Sequence, residues 1–292
     1  MTAAVLTAPK SAAPTWHRFQ DAFRRHPTAI LGGIVLATMV LIALLAPWLG
    51  TVDPQALSPA SRLKPPSSEH WFGTDMLGRD VYSRVIYGSR ISLTVGLAVA
   101  ALSIAVGLAI GMVTGFVRWL DAVAMRVMDG LMSIPSVLLA IALMALTKAS
   151  VGNVIVAITI AEVPRVVRLV RGLVLGLREQ PFVEAAIAAG TNLPLILVRH
   201  ILPNTVAPLL VQGTFICASA MITEAILSFI GAGTPPNVPS WGNIMAEGRS
   251  MFQIAGYLIF FPGVFLSLTV LAVNLLGDGM RDALDPRLAR RM

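Results

Sequence analysis

Residues 180–204, QPFVEAAIAAGTNLPLILVRHILPN, lie between strongly apolar segments yet read as a short solvent-facing element. Pro181 suits the first position of a helix, and Glu184 puts a negative charge in the first turn, where the helix dipole favours it. Gly190 can close that helix in the left-handed conformation. Between them Ala185, Ala186, Ala188 and Ala189 leave the helix surface almost bare, so another backbone or a groove can approach closely. Pro194 permits a second short helix, and Pro203 is expected to end it. The physical reading is a small helix-turn-helix built to dock something. The plainer one is an alanine-rich interhelical loop.

Composition sets the surroundings of this element. The 292 residues are 56% hydrophobic and only 13% charged, against about 25% charged in a soluble domain. An integral membrane protein is expected. The formal charge of +7 does not point to nucleic acid, because no soluble basic domain exists to carry a groove-binding surface. Arginines at the ends of membrane helices account for it. Cys217 is the single cysteine, so no intrachain disulfide can form, and it reads as a small packing residue. His17, His26, His70 and His200 lack metal-ligand spacing, and no bound metal is expected.

The apolar runs divide the chain. Residues 1–27 form a polar tail and 28–50 a first transmembrane helix, too long and too late for a cleaved signal sequence. Residues 51–91 form an extracytoplasmic connector, irregular around Pro54, Pro59, Pro65 and Pro66. Its end, with Asp75, Arg79, Asp80 and Arg84, reads as a turn and an amphipathic helix lying on the membrane surface. Residues 92–280 form a five-helix core that contains the 180–204 loop, and 281–292 a charged tail. In the second span Gly107, Gly111 and Gly115 recur every four residues, a flat strip for close helix packing. Pro135 should kink the third span, near whose start Asp129 lies. The fourth carries Glu162, three residues before Arg165 and thus able to pair with it, and the fifth carries Glu224.

Six spans put both termini on one side. That side, with the 180–204 loop, holds fifteen of the 22 Lys and Arg residues and the other side seven. The positive-inside rule makes the termini and the loop cytoplasmic.

Three strings also carry a family resemblance. Glu184-Ala185-Ala186, then Gly190, then Leu202-Pro203 resemble the EAA loop of bacterial ABC importer permeases, the coupling helix that sits in a cleft of the ATPase subunit. His200 departs from it, standing where an aliphatic residue is common. FGTDMLGRDVYSRVIYGSR, residues 72–90, resembles the segment before the second span in the peptide and nickel branch, and GDGMRDALDPRLARRM resembles that branch's C-terminal end. Over roughly residues 28–287 the chain is identified as a member of the dipeptide/oligopeptide/nickel permeases.

The resemblance implies the type I importer permease fold: an all-α integral membrane protein of six transmembrane helices with a cytoplasmic coupling loop. It implies a bacterial cytoplasmic-membrane subunit forming half of a pathway for di- or oligopeptides. The partners would be a second homologous permease, two ATPase subunits and an extracytoplasmic substrate-binding protein, within the lipid bilayer. ATP and magnesium would be bound by the ATPases and no cofactor by this chain. The ATPase-coupling residues would be Glu184, Ala185, Ala186, Gly190, His200, Leu202 and Pro203.

No nucleotide-hydrolysing motif is present. Lys10, Lys64 and Lys148 never follow glycine, which excludes a phosphate-binding G-x-x-x-x-G-K-[ST] loop, and there is no G-x-S-x-G or H-E-x-x-H string. The rivals are a permease of the same family for nickel, glutathione or another small solute, and an ion-coupled secondary transporter. Glu162, Glu224 and Asp129 are the polar candidates for both readings, as cavity-lining or as interhelical groups.

Overall fold

Helices make up every regular element of residues 27–284, the part described in this computed structural model, and no strand occurs among them. The first, α1 (Pro27–Leu45), runs into a one-turn 3-10 segment, and a second such turn sits at Pro59–Ser61. The others are α2 (Val81–Thr114), α3 (Arg118–Met132), α4 (Ser136–Ala145), α5 (Val151–Arg178), α6 (Pro181–Ala188), α7 (Leu193–Ile196), α8 (Leu202–Phe229), α9 (Trp241–Gly248) and α10 (Tyr257–Leu284). Four helical stretches are long and apolar enough to cross a membrane: Pro27–Trp48, Val81–Thr114, Leu193–Phe229 and Tyr257–Ala283. The bent pair α3–α4 makes a fifth if taken as one span.

Close contacts fix the directions of the helices. A Cβ at Gly107 or Gly111 of α2, or at Gly115 just past its end, would lie within 2.7 Å of the Cβ of Val166, Val170 or Val174 of α5, respectively. The glycine strip thus receives a valine row of α5, and rising numbers on both helices mean that the two run parallel. Ser92 of α2 meets Glu224 of α8, and Gly96 meets Cys217 and Met221, so α8 runs the opposite way. Asp121 and Asp129 of α3 meet Arg171 and Arg168 of α5, again antiparallel. Gly32 of α1 packs against Ala272 and Leu275 of α10, and Gly279 of α10 against Ala29, so α1 opposes α10.

Three expectations need correction. The connector does not extend to residue 91, and no separate amphipathic helix lies on a surface. Asp80 caps a helix, accepting from the Ser83 amide at 2.8 Å, and that helix continues unbroken to Thr114. Its polar residues do not force a break because they bury against α9. Pro135 does more than kink the third span: α3 and α4 are bent by 88°. Proline removes a backbone donor and disfavours helix in the residue before it, so Ser133–Pro135 leave the helix entirely. Pro203 does not end a second short helix. α7 passes through a π turn, Leu197–Ile201, into α8, and the Leu202 amide donates to the Leu197 carbonyl. The wider turn absorbs the proline ring that would clash with a regular i−4 carbonyl. The expected fourth span is one continuous helix of 28 residues, α5, and it falls outside the four most apolar stretches because Glu162, Arg165, Arg168 and Arg171 lie along it. Residues 1–26 and 285–292, most of the two expected tails, lie outside the described residues.

Candidate functional site

The 180–204 segment forms an elbow between α5 and α8. Pro181 occupies the start of α6, where its missing N–H costs nothing. Gly190 has φ +76°; its amide donates to the Ile187 carbonyl (2.9 Å) and the Thr191 amide to the Ala186 carbonyl (3.0 Å). That pair of bonds is a Schellman cap, and it requires the left-handed residue. Asn192 then caps α7, accepting from the Leu195 amide.

Burial sorts the elbow into an anchor and a face. Val183, Ile196 and Ile201 are buried in the main apolar core, with Ala186 packed at its edge. Phe182, Glu184, Ala185, Ile187, Ala188, Ala189 and Gly190 are exposed. Leu202 is half-buried and Pro203 exposed where α8 begins. His200, in the π turn, lies 6.3 Å from the Phe182 ring, centroid to centroid. It thereby bridges the first short helix and the root of α8, a contact that sequence spacing does not reveal.

The three acidic candidates sit apart from the elbow. Glu162 is buried on α5, where Arg165 Nη1 donates to its Oε2 at 3.2 Å and Ser219 Oγ of α8 lies 3.3 Å from its Oε1. Glu224 is buried on α8, accepting from Ser228 Oγ at 2.8 Å, with Ser92 Oγ of α2 at 3.5 Å. Asp129 is exposed on α3 and accepts from Arg168 Nη2 at 2.6 Å. Glu162 and Glu224 both join helices through serine hydroxyls, and the structure does not bring the three carboxylates together.

A second polar cluster lies at the opposite end of α2. Asp75 and Arg84 are fully buried and Arg79 nearly so. Asp75 Oδ2 accepts from Arg79 Nε and from Arg84 Nη1, both at 2.6 Å, while its Oδ1 takes the amides of Leu77 and Arg79. Both arginines also donate to Glu247 of α9, at 2.5 to 2.9 Å. Trp241 Nε1 donates to the Val85 carbonyl, and Phe72 stacks on Phe261 at 4.0 Å. The charges of residues 75–84 are legible in the sequence; their partner Glu247, more than 160 residues away, carries no local signal. Among the described residues no group of three or more His, Cys, Asp or Glu side chains could hold a metal ion.

With this geometry in hand, comparison with known proteins places the chain. Residues 87–290 match the family described as the binding-protein-dependent transport system inner membrane component. The chain belongs to that family. Residues 15–66 match the N-terminal transmembrane domain of oligopeptide transport permease C. A probable peptide ABC transporter permease protein of Sinorhizobium fredii is 57% identical over 268 residues, covering 92% of each chain. The dipeptide transport system permease protein DppC of Alkalihalophilus pseudofirmus is 39% identical, covering 95% of this chain and 92% of that one. The glutathione transport system permease protein GsiD of Escherichia coli is also 39% identical, covering 99% and 96%. The inner membrane component described here is therefore the permease subunit of an ABC importer.

Proposed function

We propose that this permease forms half of a translocation pathway for di- or oligopeptides and is driven from the cytosol through its elbow, without hydrolysing ATP itself. The observation that carries the reading is the exposed α6, with its left-handed cap at Gly190, suspended between two long helices. In this reading α6 sits in a cleft of an ATPase subunit. The π turn and the His200–Phe182 contact pass its displacement into α8. Closure of two ATPase subunits on ATP pulls two such elbows together, this one and that of a second homologous permease. The pathway then opens toward a substrate-binding protein on the other face, and hydrolysis resets it.

The helix directions support six crossings. α2 and α5 run parallel side by side, so the chain between them must return across the bundle, and α3–α4 is the segment that does so. Counting that pair once, α1, α2, α3–α4, α5, α8 and α10 alternate in direction. With the arginine distribution, both termini and the elbow then face the cytosol. Peptide cargo is favoured because relatives named for peptides and dipeptides match over most of their length. Glutathione, the cargo named for another relative, is itself a peptide-like carboxylate.

Gly190→Val tests the coupling. No heavy atom lies within 4 Å of where a Cβ would stand, so the cost is confined to the left-handed backbone, about 1–2 kcal/mol. The variant should reach the membrane in normal amount, yet the complex reconstituted with its ATPases and binding protein should lose ATP-driven uptake. Equal uptake at equal protein would refute the coupling role. Uphill accumulation by the purified chain alone would refute the whole reading.

A further inference from the structure

Three arginines rise along α5 at three-residue spacing, and each meets a carboxylate: Arg171 with Asp121, Arg168 with Asp129, Arg165 with Glu162. Their engagement is graded. Arg171 grips both oxygens of Asp121 and is 31% exposed. Arg168 makes one contact, at 2.6 Å, and is 45% exposed. Arg165 makes only the long contacts to Glu162, 3.2 and 3.5 Å from a single nitrogen, and is 49% exposed. A guanidinium has five N–H donors, and on Arg165 only Nη1 is engaged. Glu162 beneath it is 1% exposed and held from α8 by Ser219.

Depth makes this unusual. Val166, the next residue, packs on Gly107 of α2. α2 carries no charged residue between Arg90 and its end at Thr114, a length of about 36 Å along the helix. Gly107 is seven residues from that end, or about 10 Å along the helix, which puts Arg165 inside the apolar layer. Two buried hydroxyls have no hydrogen-bond partner among the described residues: Ser103, one turn from Gly107 on α2, and Thr159, nearly two turns from Arg165 on α5. A half-exposed arginine at such depth must face water or an opposing charge, not lipid.

We propose that Arg165, with Arg168 a turn closer to the elbow, binds the carboxylate of the passing solute in a water-filled path along α5. The inference rests on the importer reading and deepens it. A planar fork with open donors matches a carboxylate in two-point geometry. The partial bond to buried Glu162 positions that fork and keeps its grip weak enough to release the solute. Arg168 supplies the next foothold toward the elbow, while Arg171 is already satisfied and ends the ladder.

The test uses the whole importer in proteoliposomes with its ATPases and binding protein, and alanyl-alanine as probe. Arg165→Gln should lower uptake at least about tenfold, the scale of one hydrogen-bonded charge, while ATP hydrolysis stimulated by the loaded binding protein stays within about twofold. In a Cys217→Ala background, Arg165→Cys should react with a membrane-impermeant thiol reagent in the assembled complex. The double variant Arg165→Gln/Glu162→Gln should remain as defective as Arg165→Gln. Three results overturn the site: undiminished uptake by Arg165→Gln, an unreactive Cys at 165 because a partner chain covers it, or recovery in the double variant, which would make Arg165 a mere neutraliser of Glu162. Absence of uptake by the unaltered importer is a different failure, that of the peptide reading beneath it.

Discussion

At one end of α2, four charged side chains pack against one another almost without solvent and tie three stretches of chain together. At the other end, beyond α5, eight residues of helix hang from Val183 and the edge of Ala186, with the rest of the surface bare. The charge clasp of Asp75, Arg79, Arg84 and Glu247 has most of its donors and acceptors used within the protein. The elbow is satisfied only in its backbone, by caps. Burying ions is costly and tolerable only when all partners are fixed, so the clasp holds its end of the bundle in one geometry. A short helix with a small hydrophobic anchor is free to move as a body and to present its face elsewhere. The contrast suits the proposed coupling, in which one end of the permease is levered while the other keeps its shape.

Substitutions can break or sharpen that contrast. Asp75→Ala should have the largest effect on stability, since it leaves two buried guanidiniums with one carboxylate between them; a loss of about 3–5 kcal/mol is expected, read as a large drop in midpoint of thermal unfolding in detergent. Gly111→Val comes next. Its Cβ would stand 2.7 Å from the Val170 Cβ, and forcing the parallel pair apart should cost about 1–3 kcal/mol, visible as lower protein yield in the membrane. Gly190→Val should cost less in stability than either, yet abolish uptake. Asn192→Ala, which removes the cap of α7, should cost about 1 kcal/mol or less and leave the unfolding midpoint nearly unchanged, with uptake reduced but present. If Asn192→Ala destabilised the protein as much as Asp75→Ala, the elbow would be part of the rigid frame and the contrast would fail.

Much of the elbow is readable from residue types, because proline at a helix start and glycine at a left-handed cap are decided within a few residues. The glycine strip is readable for the same reason: a four-residue period places Gly107, Gly111 and Gly115 on one helix face whatever packs there. Glu162 and Arg165 also meet, as their spacing allows. The failures share a different cause. Asp75, Arg79 and Arg84 look like a solvated amphipathic surface until Glu247 is seen to meet them, and then the helix start moves from 92 back to 81. Pro203 looks like a stop until the π turn accommodates it, and Pro135 like a kink until α3 and α4 part at 88°.

What the sequence settles alone is local and compositional: an apolar chain, a short helix opened by Pro181 and closed by Gly190, a flat glycine face, an alanine-surfaced knob. Backbone sterics and hydrophobicity act over a few residues and need no partner to be read. The tertiary structure decided which charges lie inside, which way each helix runs and which arginine keeps open donors. Those outcomes depend on groups far apart in the chain, and the cost of burying a charge is set by who stands opposite it.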